Sequence, residues 1–166
     1  MPRPLYPIDS LLPHARPMIL LDRVVERQAD AIVTELEIRP GLPFFRTGQG
    51  IAAHIALEWM AQACGAHVGA VARDSGGEVR VGFLLGTREF KSSRDWFVAG
   101  ETVLVGARLV FHEGETAVFD CWVMPAGHSS GEAIASAQLT VYQPADVAAM
   151  LASQGIGAAG PQGAGS

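Results

Sequence analysis

The sequence contains few cysteines and few positive charges. Its 166 residues include two cysteines, Cys64 and Cys121, which lie far apart within apolar segments. This count argues against a scaffold held by disulfides and against a metal site built from cysteine, and it is typical of buried, reduced thiols. Twelve Lys and Arg residues stand against 17 Asp and Glu, which gives a net charge of −5. Because the basic residues are scattered, the sequence predicts no surface for a nucleic-acid backbone.

One long segment, residues 51–72, has almost no charge, and Glu58 is its single Asp, Glu, Lys or Arg. The segment is long enough to cross a membrane. It also contains His54 and His67, however, and an Asp or Lys at the centre of a bilayer costs about 2.5 kcal/mol or more. We therefore predict a buried helix over residues 51–73 and no membrane segment. The first residues lack the apolar run of a signal peptide, which predicts a cytoplasmic protein.

Alternating apolar and polar residues predict a sheet around this helix. Strands joined by short turns beside one buried helix are typical of an α+β fold with an antiparallel sheet. We predict one domain over residues 1–146. A flexible, low-complexity tail at 147–166 follows it, after a helical turn that begins near residue 145. The predicted strands are residues 18–25 and 31–38 before the helix, and 78–91, 102–112, 116–124 and 133–142 after it.

Glu58 is the first candidate for a functional role. A carboxylate among apolar residues is costly unless it is paired, hydrogen-bonded or protonated, and such a group often serves chemistry rather than folding. Backbone amides or a partner at a dimer interface could satisfy it instead. His54 lies four residues earlier, so the two side chains would share one face of the predicted helix.

Several motifs resemble those of the 3-hydroxyacyl-[acyl-carrier-protein] dehydratases. Leu-Pro-His at residues 12–14 and the segment 17–24 are similar to the family's opening. Residues 57–63 are similar to the start of its central helix, where the family carries a catalytic acid followed by a Met-Ala-Gln-like run. Residues 90–91 and 98–101 are similar to its next strand and the turn after it. The branch that the sequence resembles most is the dehydratase-like group of aryl polyene pigment clusters.

This resemblance implies a hotdog fold, in which an antiparallel sheet wraps around one long central helix. It implies a dehydratase that removes water from 3-hydroxyacyl thioesters on acyl carrier protein, in fatty-acid-like or polyene pigment biosynthesis. The phosphopantetheine arm arrives with the substrate, so no diffusible cofactor is expected. Hotdog subunits pair their sheets edge to edge and form active sites between subunits, so a homodimer or larger homo-oligomer is expected.

The sequence departs from the family on the loop before the helix. The fatty-acid dehydratases carry a His there, whereas residues 43–50 contain none and Phe44 stands at roughly the equivalent offset. The aryl polyene branch also lacks this His. Its absence leaves three hypotheses open: a dehydratase with another base, a hotdog thioesterase in which Glu58 activates water, and a non-catalytic partner that dimerises with an active dehydratase.

The reaction needs a base at the α carbon, an acid at the leaving hydroxyl and donors for the thioester oxygen. The resemblance assigns the hydroxyl side to Glu58, whose pKa an apolar site would raise. His54 and His14, the latter in the Leu-Pro-His motif, are candidate bases, or else make structural hydrogen bonds. Backbone amides near Gly50 and Ile51, at the predicted helix start, are candidate donors for the oxygen, or else the glycine only shapes a turn.

Substrate contacts are also predicted on the strand after the helix. In the resembling family this strand borders the acyl tunnel, which implies contacts from Phe83, Leu84, Leu85 and Gly86; plain sheet core is the alternative. Basic residues on the same strand, Arg88 and Lys91, could meet phosphopantetheine or an acidic carrier protein, or could lie on a solvated face.

The remaining histidines, His67, His112 and His128, fit packing or surface positions better than catalysis. His67 lies late on the predicted helix, and the other two border turns. The sequence has neither the His-x-x-x-His nor the Cys-x-x-Cys spacing of common metal sites, so no bound metal is predicted.

Overall fold

The computed structural model describes residues 3–80, 82–127, 131–144, 146–153 and 155. Short 3-10 turns lie at Ile8–Ser10 and Ala53–Ile55. The helices are α1 (Ala56–Asp74) and α2 (Val147–Ser153). The strands are β1 (Arg23–Arg27), β2 (Ala31–Glu37), β3 (Ile51–Ala52), β4 (Phe83–Ser92), β5 (Trp96–Phe97), β6 (Thr102–Glu113), β7 (Thr116–Pro125) and β8 (Ala135–Tyr142).

Six strands form one antiparallel sheet in the order β1-β2-β6-β7-β8-β4, while the short strands β3 and β5 pair with each other. Helix α1 packs against β2, β6, β7 and β8. The predicted α+β arrangement of an antiparallel sheet against one long helix is therefore confirmed. Among the residues that the structure describes, no helix is both long and apolar enough to span a membrane.

The strands bury alternate residues against the helix, as the sequence pattern predicts. In β8 the buried side is Ala135, Ala137, Leu139 and Val141, and the residues between them are partly exposed. The tight turn between β6 and β7 contains Gly114, whose φ of 60° lies in the left-handed region that favours glycine. The predicted hairpin at this point is confirmed.

The long helix begins later than the predicted residue 51. Ile51 and Ala52 form β3 and pair with Phe97 and Trp96, and the Ala53 amide donates to the Asp95 carbonyl. Regular α-helix starts at Ala56. The backbone groups at residues 51–53 are engaged by a neighbouring strand, which an apolar run alone does not reveal.

The first strand also differs from the prediction of residues 18–25. Strand β1 starts at Arg23. The Asp22 amide just before it still donates to the Glu35 carbonyl of β2, whereas the chain at residues 18–20 is bonded to a side chain. The Leu20 amide donates to the side-chain oxygen of Gln62, and the Met18 carbonyl accepts from the side-chain nitrogen of the same residue.

Strand β4 forms one edge of the sheet and pairs on one side only, with β8. It starts at Phe83 instead of residue 78. Its pairing shifts register between Leu84 and Gly86, where a bend was predicted, and again between Arg88 and Lys91. Most of its residues are exposed in the isolated chain.

The C-terminal turn predicted near residue 145 corresponds to α2. Asp146 caps this helix by accepting a hydrogen bond from the Ala149 amide. Residues 154 and 156–166 lie outside the described residues, so the flexible tail at 147–166 and its boundary with the domain at 1–146 stay predictions.

Both cysteines lie in the core, in the reduced form that was predicted. Although they are distant in sequence, Cys64 of α1 and Cys121 of β7 place their Sγ atoms 3.5 Å apart. Burial, with a smaller effect from the neighbouring Cys121 thiol, raises the pKa of Cys64 well above its ordinary value. A contact between two buried thiols therefore connects the helix to the sheet.

A second connection ties the N-terminal residues to the end of α1. The Arg27 side chain is fully buried and donates two hydrogen bonds to Asp74, at 3.1 and 2.7 Å, and a third to the Pro4 carbonyl. The Tyr6 hydroxyl also donates to Asp74, at 2.8 Å. These bonds fix the chain just before the segment that reaches the candidate site.

Candidate active site

A cavity of about 220 Å³ lies beside the N-terminal half of α1. Three parts of the chain form its walls: the segment before β1, one face of α1, and the chain around the start of β4 and the end of β8. The lining residues are Leu12, Pro13, His14 and Met18; Glu58, Ala61, Gln62, Gly65 and Val68; and Arg80, Gly82, Phe83, Leu84, Val141 and Gln143.

The structure brings Glu58 and His14 into this one cavity, although they are 44 positions apart in sequence. Glu58 lies in the first turn of α1. A carboxyl group and an imidazole that face the same space can serve as an acid and a base toward one bound molecule.

The surroundings of Glu58 differ from the prediction of an apolar, sequestered site. In the single chain its side chain is exposed, as is that of His14. Within the described part of the chain, no hydrogen bond or ion pair engages the Glu58 carboxylate. The apolar residues around it in sequence turn their bulk to the core instead, as Trp59 and Met60 are buried. Glu58 thus faces the cavity as an unpaired carboxyl group.

Helical spacing explains why these residues line one wall. Glu58, Gln62, Gly65 and Gly69 stand at positions i, i+4, i+7 and i+11 of α1, which place them on one face of the helix. The first two supply polar groups to the cavity. The last two are glycines, which leave room for another part of the chain.

That other part is the segment before β1. A β-carbon at Gly69 would overlap the Leu11 carbonyl oxygen, and one at Gly65 would lie 3.1 Å from a methyl carbon of Leu12. The close approach at Leu11 and Leu12 carries the chain past α1, so that His14 follows at the cavity wall.

His54, the other candidate base, lies elsewhere. It belongs to the 3-10 turn before α1 and is exposed. It lines a different cavity of about 250 Å³, together with Phe44, Phe45, Arg46, Ala52 and Ile55. The shared helical face predicted for His54 and Glu58 is therefore wrong, because regular helix begins only at Ala56. Phe44, the residue at the offset of the family's loop His, lines the cavity of His54.

Gly50 and Ile51 do not stand at the start of α1, so their predicted place in the site is corrected. The Gly50 amide donates to the Arg46 carbonyl at 2.9 Å and has no free hydrogen for a thioester oxygen. A β-carbon at Gly50 would overlap the Phe97 carbonyl oxygen. This glycine allows β3 to approach β5, and neither Gly50 nor Ile51 lines the Glu58 cavity.

The predicted contacts on the strand after the helix divide into two pairs. Phe83 and Leu84 line the cavity, whereas Leu85 and Gly86 do not. Leu84 and Leu85 are 44% and 60% exposed in the single chain, which shows that this part of β4 is not sheet core. The first pair therefore stays a candidate for substrate contact from within the subunit.

Several lining residues were missed by the sequence prediction. Among the described residues, Arg80 is the one basic residue that lines the cavity. Arg88 and Lys91 are exposed farther along β4 and do not line it. Gln62 and Gln143 add amide groups. The sequence signal for Gln62 was its place four residues after Glu58; Arg80 and Gln143 gave no comparable signal, because only the fold brings them to the helix.

The other histidines behave as predicted where the structure describes them. His67 is buried in the core and packs edge-on against Phe119, with ring centroids 5.8 Å apart. Its burial, with a smaller effect from Arg27, lowers the pKa of His67 to about 4. His112 is exposed, and His128 lies outside the described residues. Among those residues, no group of three or more His, Cys, Asp or Glu side chains could hold a metal ion.

Comparison with known protein families gives the class of the protein. The sequence profile of the ApeP-like family, described as ApeP dehydratase, matches residues 6–152. The chain belongs to the ApeP-like dehydratase family. Family membership confirms the predicted resemblance and makes the protein a dehydratase, a lyase that removes water. A search of curated proteins found no match to the sequence.

Solved structures confirm the fold of this ApeP-like dehydratase. The dehydratase heterocomplex ApeI:P from Xenorhabdus doucetiae contains a chain that matches with a TM-score of 0.79 and 24% identity, over 89% of this chain and 97% of that one. A hypothetical thioesterase from Streptococcus pneumoniae TIGR4, solved with coenzyme A, matches with a TM-score of 0.57 and 11% identity, over 74% and 84% of the two chains. The E. coli PaaI protein from the phenylacetic acid degradation operon gives 0.54 and 13%, over 72% and 80%. At these identities the likeness shows the fold alone, which is the predicted hotdog fold.

Proposed function

We propose that the cavity beside Glu58 removes water from a 3-hydroxyacyl thioester on the phosphopantetheine arm of an acyl carrier protein. The observation that carries this proposal is that Glu58 and His14 line the same cavity. Membership of the ApeP-like family gives the reaction class. The cavity offers the acid and the base that this class of reaction needs.

In the proposed reaction, His14 takes a proton from the α carbon. The electron pair of that C–H bond forms the double bond between the α and β carbons, and the bond from the β carbon to the hydroxyl oxygen breaks. Protonated Glu58 gives its proton to the departing oxygen, so that water leaves. Exchange with solvent then removes the proton from His14 and returns one to Glu58. Each of the two groups contributes roughly 100- to 10,000-fold to the rate.

A second subunit would provide the environment that Glu58 needs. The carboxyl group is exposed in the single chain, and the neighbouring strand β4 is a sheet edge with exposed leucines. An edge strand with apolar side chains is a surface for pairing with another strand. A hotdog subunit paired along β4 would cover the cavity, and removal of water favours the neutral form of a carboxyl group.

The partner is either a second copy of this chain or a related dehydratase subunit. The structural likeness to a chain of the ApeI:P heterocomplex supports the second choice. The mass of the purified protein in solution distinguishes them, since a homodimer has twice the chain mass. Leu85→Lys, on the exposed part of β4 but outside the cavity lining, is expected to reduce a homodimer to monomers. An unchanged dimer would place the interface elsewhere.

His54 stays a candidate base only as a residue of that partner. Within one chain it lines a cavity separate from that of Glu58. If the partner's copy reaches the Glu58 cavity, His54→Gln lowers the rate and His14→Gln leaves it unchanged. We expect the reverse, with the loss of rate in His14→Gln.

Basic side chains near the cavity suit the carrier protein and its phosphate. Arg80 lines the cavity. Arg88 and Lys91 are exposed on β4. A guanidinium pairs well with phosphate oxygens, so Arg80 is the candidate contact for the phosphopantetheine phosphate.

Incubation of the purified protein with a 3-hydroxyacyl carrier protein tests the proposal directly. Mass spectrometry of the carrier protein should show loss of one water from the acyl group. Release of the free acid would indicate a thioesterase instead, the alternative motivated by the missing loop His. An unchanged acyl group with the protein alone, together with loss of water only when a related dehydratase subunit is added, would indicate a non-catalytic chain.

A further inference from the structure

The side chain of Gln62 connects α1 to the segment that carries His14. Its side-chain oxygen accepts a hydrogen bond from the Leu20 amide at 2.8 Å, and its side-chain nitrogen donates one to the Met18 carbonyl at 2.6 Å. Among the described residues, these are the only hydrogen bonds between α1 and residues 8–21. Both ends of the amide are therefore used, and both bonds go to the backbone.

The same segment has a contact with α1 on the other side of His14. Leu11 and Leu12 rest against Gly69 and Gly65, where the helix has no side chains to keep them away. His14 thus lies between a packed attachment that precedes it and a hydrogen-bonded attachment that follows it. The stretch between the two is exposed from Pro13 to Met18, so no core packing holds it.

Gln62 and Glu58 are also one helical turn apart and line the same cavity. A rigid helix that carries both residues sets the position of the backbone at Met18 and Leu20 relative to the Glu58 carboxyl group. Because an error of about 1 Å in the placement of a reacting group can cost about 100-fold in rate, a bond that fixes this distance has a direct effect on turnover.

We propose that Gln62 is a positioning residue of the dehydratase, which holds His14 opposite Glu58 by clamping the Met18–Leu20 backbone to α1. This inference rests on the proposed roles of His14 and Glu58. It makes Gln62 act through His14, and not through a contact with the substrate or through the stability of the fold.

A double-mutant cycle on kcat separates these roles. Gln62→Met keeps the length of the side chain and removes both hydrogen bonds, and it is combined with His14→Gln. We expect Gln62→Met to lower kcat by about 10- to 100-fold while KM changes less than about threefold. In the His14→Gln background the same change should cost less than about threefold, because the group that it positions is already gone. Gln28→Met, on an exposed residue outside the cavity lining, serves as the control for a lost glutamine.

Amide hydrogen exchange at Leu20 reports the clamp without any catalysis. Exchange should accelerate at Leu20 in Gln62→Met and stay unchanged at core amides such as that of Leu139. Unchanged exchange at Leu20, or a wild-type kcat in Gln62→Met, would overturn the inference while leaving the proposed function intact. An equal loss of kcat in the two backgrounds would overturn it as well, since Gln62 would then act independently of His14. Wild-type kcat in His14→Gln with faster Leu20 exchange in Gln62→Met would instead reject the base of the proposed function, and with it the positioning role.

Discussion

Gly69 of α1 touches the backbone of Leu11 so closely that a β-carbon at residue 69 would overlap the Leu11 carbonyl oxygen. This contact carries the N-terminal segment past the helix to the cavity. Gly65, one turn earlier, faces the Leu12 side chain instead, with a methyl carbon 3.1 Å from the place of its missing β-carbon. A side chain can move aside, whereas a backbone carbonyl next to a 3-10 turn cannot do so without displacing the segment.

Gly69→Ala is therefore expected to destabilise the protein by about 1–3 kcal/mol, the usual range for overpacking. Gly65→Ala should be close to neutral, because the better helix propensity of alanine, worth about 1 kcal/mol, offsets a small shift of Leu12. Urea unfolding of the two variants measures the difference. Equal stabilities for both would show that the segment does not rest on Gly69.

The ion pair between Asp74 and the buried side chain of Arg27 predicts a second effect on stability. The Arg27 side chain is fully buried, so Asp74→Asn would leave its charge without a carboxylate partner. Because the Asp74 side chain is itself 23% exposed, the expected cost is about 1.5–3 kcal/mol, the range for hydrogen bonds to charged groups. Arg108→Met, which removes one partner of an exposed ion pair with Asp30, should cost about 1 kcal/mol or less. Urea unfolding compares the two variants, and equal losses of stability would show that burial of Arg27 adds nothing to the pair.

The pKa of Asp74 determines how the stability contributed by this ion pair changes with pH. Hydrogen bonds from Arg27 lower the pKa of Asp74 from 3.8 to about 2. A lowered carboxyl pKa contributes stability above the unfolded value, which is lost as the pH falls toward the folded value. The stability difference between wild type and Asp74→Asn should hence shrink between pH 4 and pH 2. A difference that stays constant over that range would exclude the charge as its source.

The buried His67 is expected to reduce stability as the pH falls, in a pH range above that of Asp74. Its pKa is about 4 in the folded core, against an ordinary value of 6.5 for the side chain in an unfolded chain. Below pH 6.5 the unfolded chain binds a proton that the folded chain does not bind, so stability falls from pH 6.5 to about 4 and then levels off. The full effect is on the order of 3 kcal/mol. His67→Gln should flatten this part of the curve, whatever its own stability, and a curve with the same slope would assign the effect to other groups.

Much of the fold could be predicted from the sequence because apolar and polar residues alternate clearly along most of its strands. β2, β6, β7 and β8 begin and end within two residues of the predicted bounds. The exceptions are places where the backbone is bonded outside a regular pattern. Residues 51–52 pair with β5, and residues 18–20 bond to Gln62, and neither partnership leaves a periodic signal.

The site was predictable only in part for the same reason. Glu58 stood out as a lone charge, and the Leu-Pro-His motif pointed to His14, but the proximity of the two depends on glycines that admit a distant segment. His54 was a candidate because it lies four residues before Glu58, but this spacing places two side chains on one face only in a continuous α-helix. Arg80 and Gln143 reach the cavity through the pairing of β4 with β8, which single-residue patterns do not encode.

The most direct test of the proposed reaction is the dehydration rate of Glu58→Gln, measured with 3-hydroxyacyl carrier protein. The control is Glu132→Gln, which changes an exposed glutamate outside the cavity lining. The amide cannot donate the proton that the leaving hydroxyl requires. We expect a rate at least about 100-fold below wild type for Glu58→Gln, an unchanged rate for Glu132→Gln, and unchanged thermal unfolding for both. A Glu58→Gln variant that dehydrates the substrate at the wild-type rate would contradict the role of Glu58 as the acid.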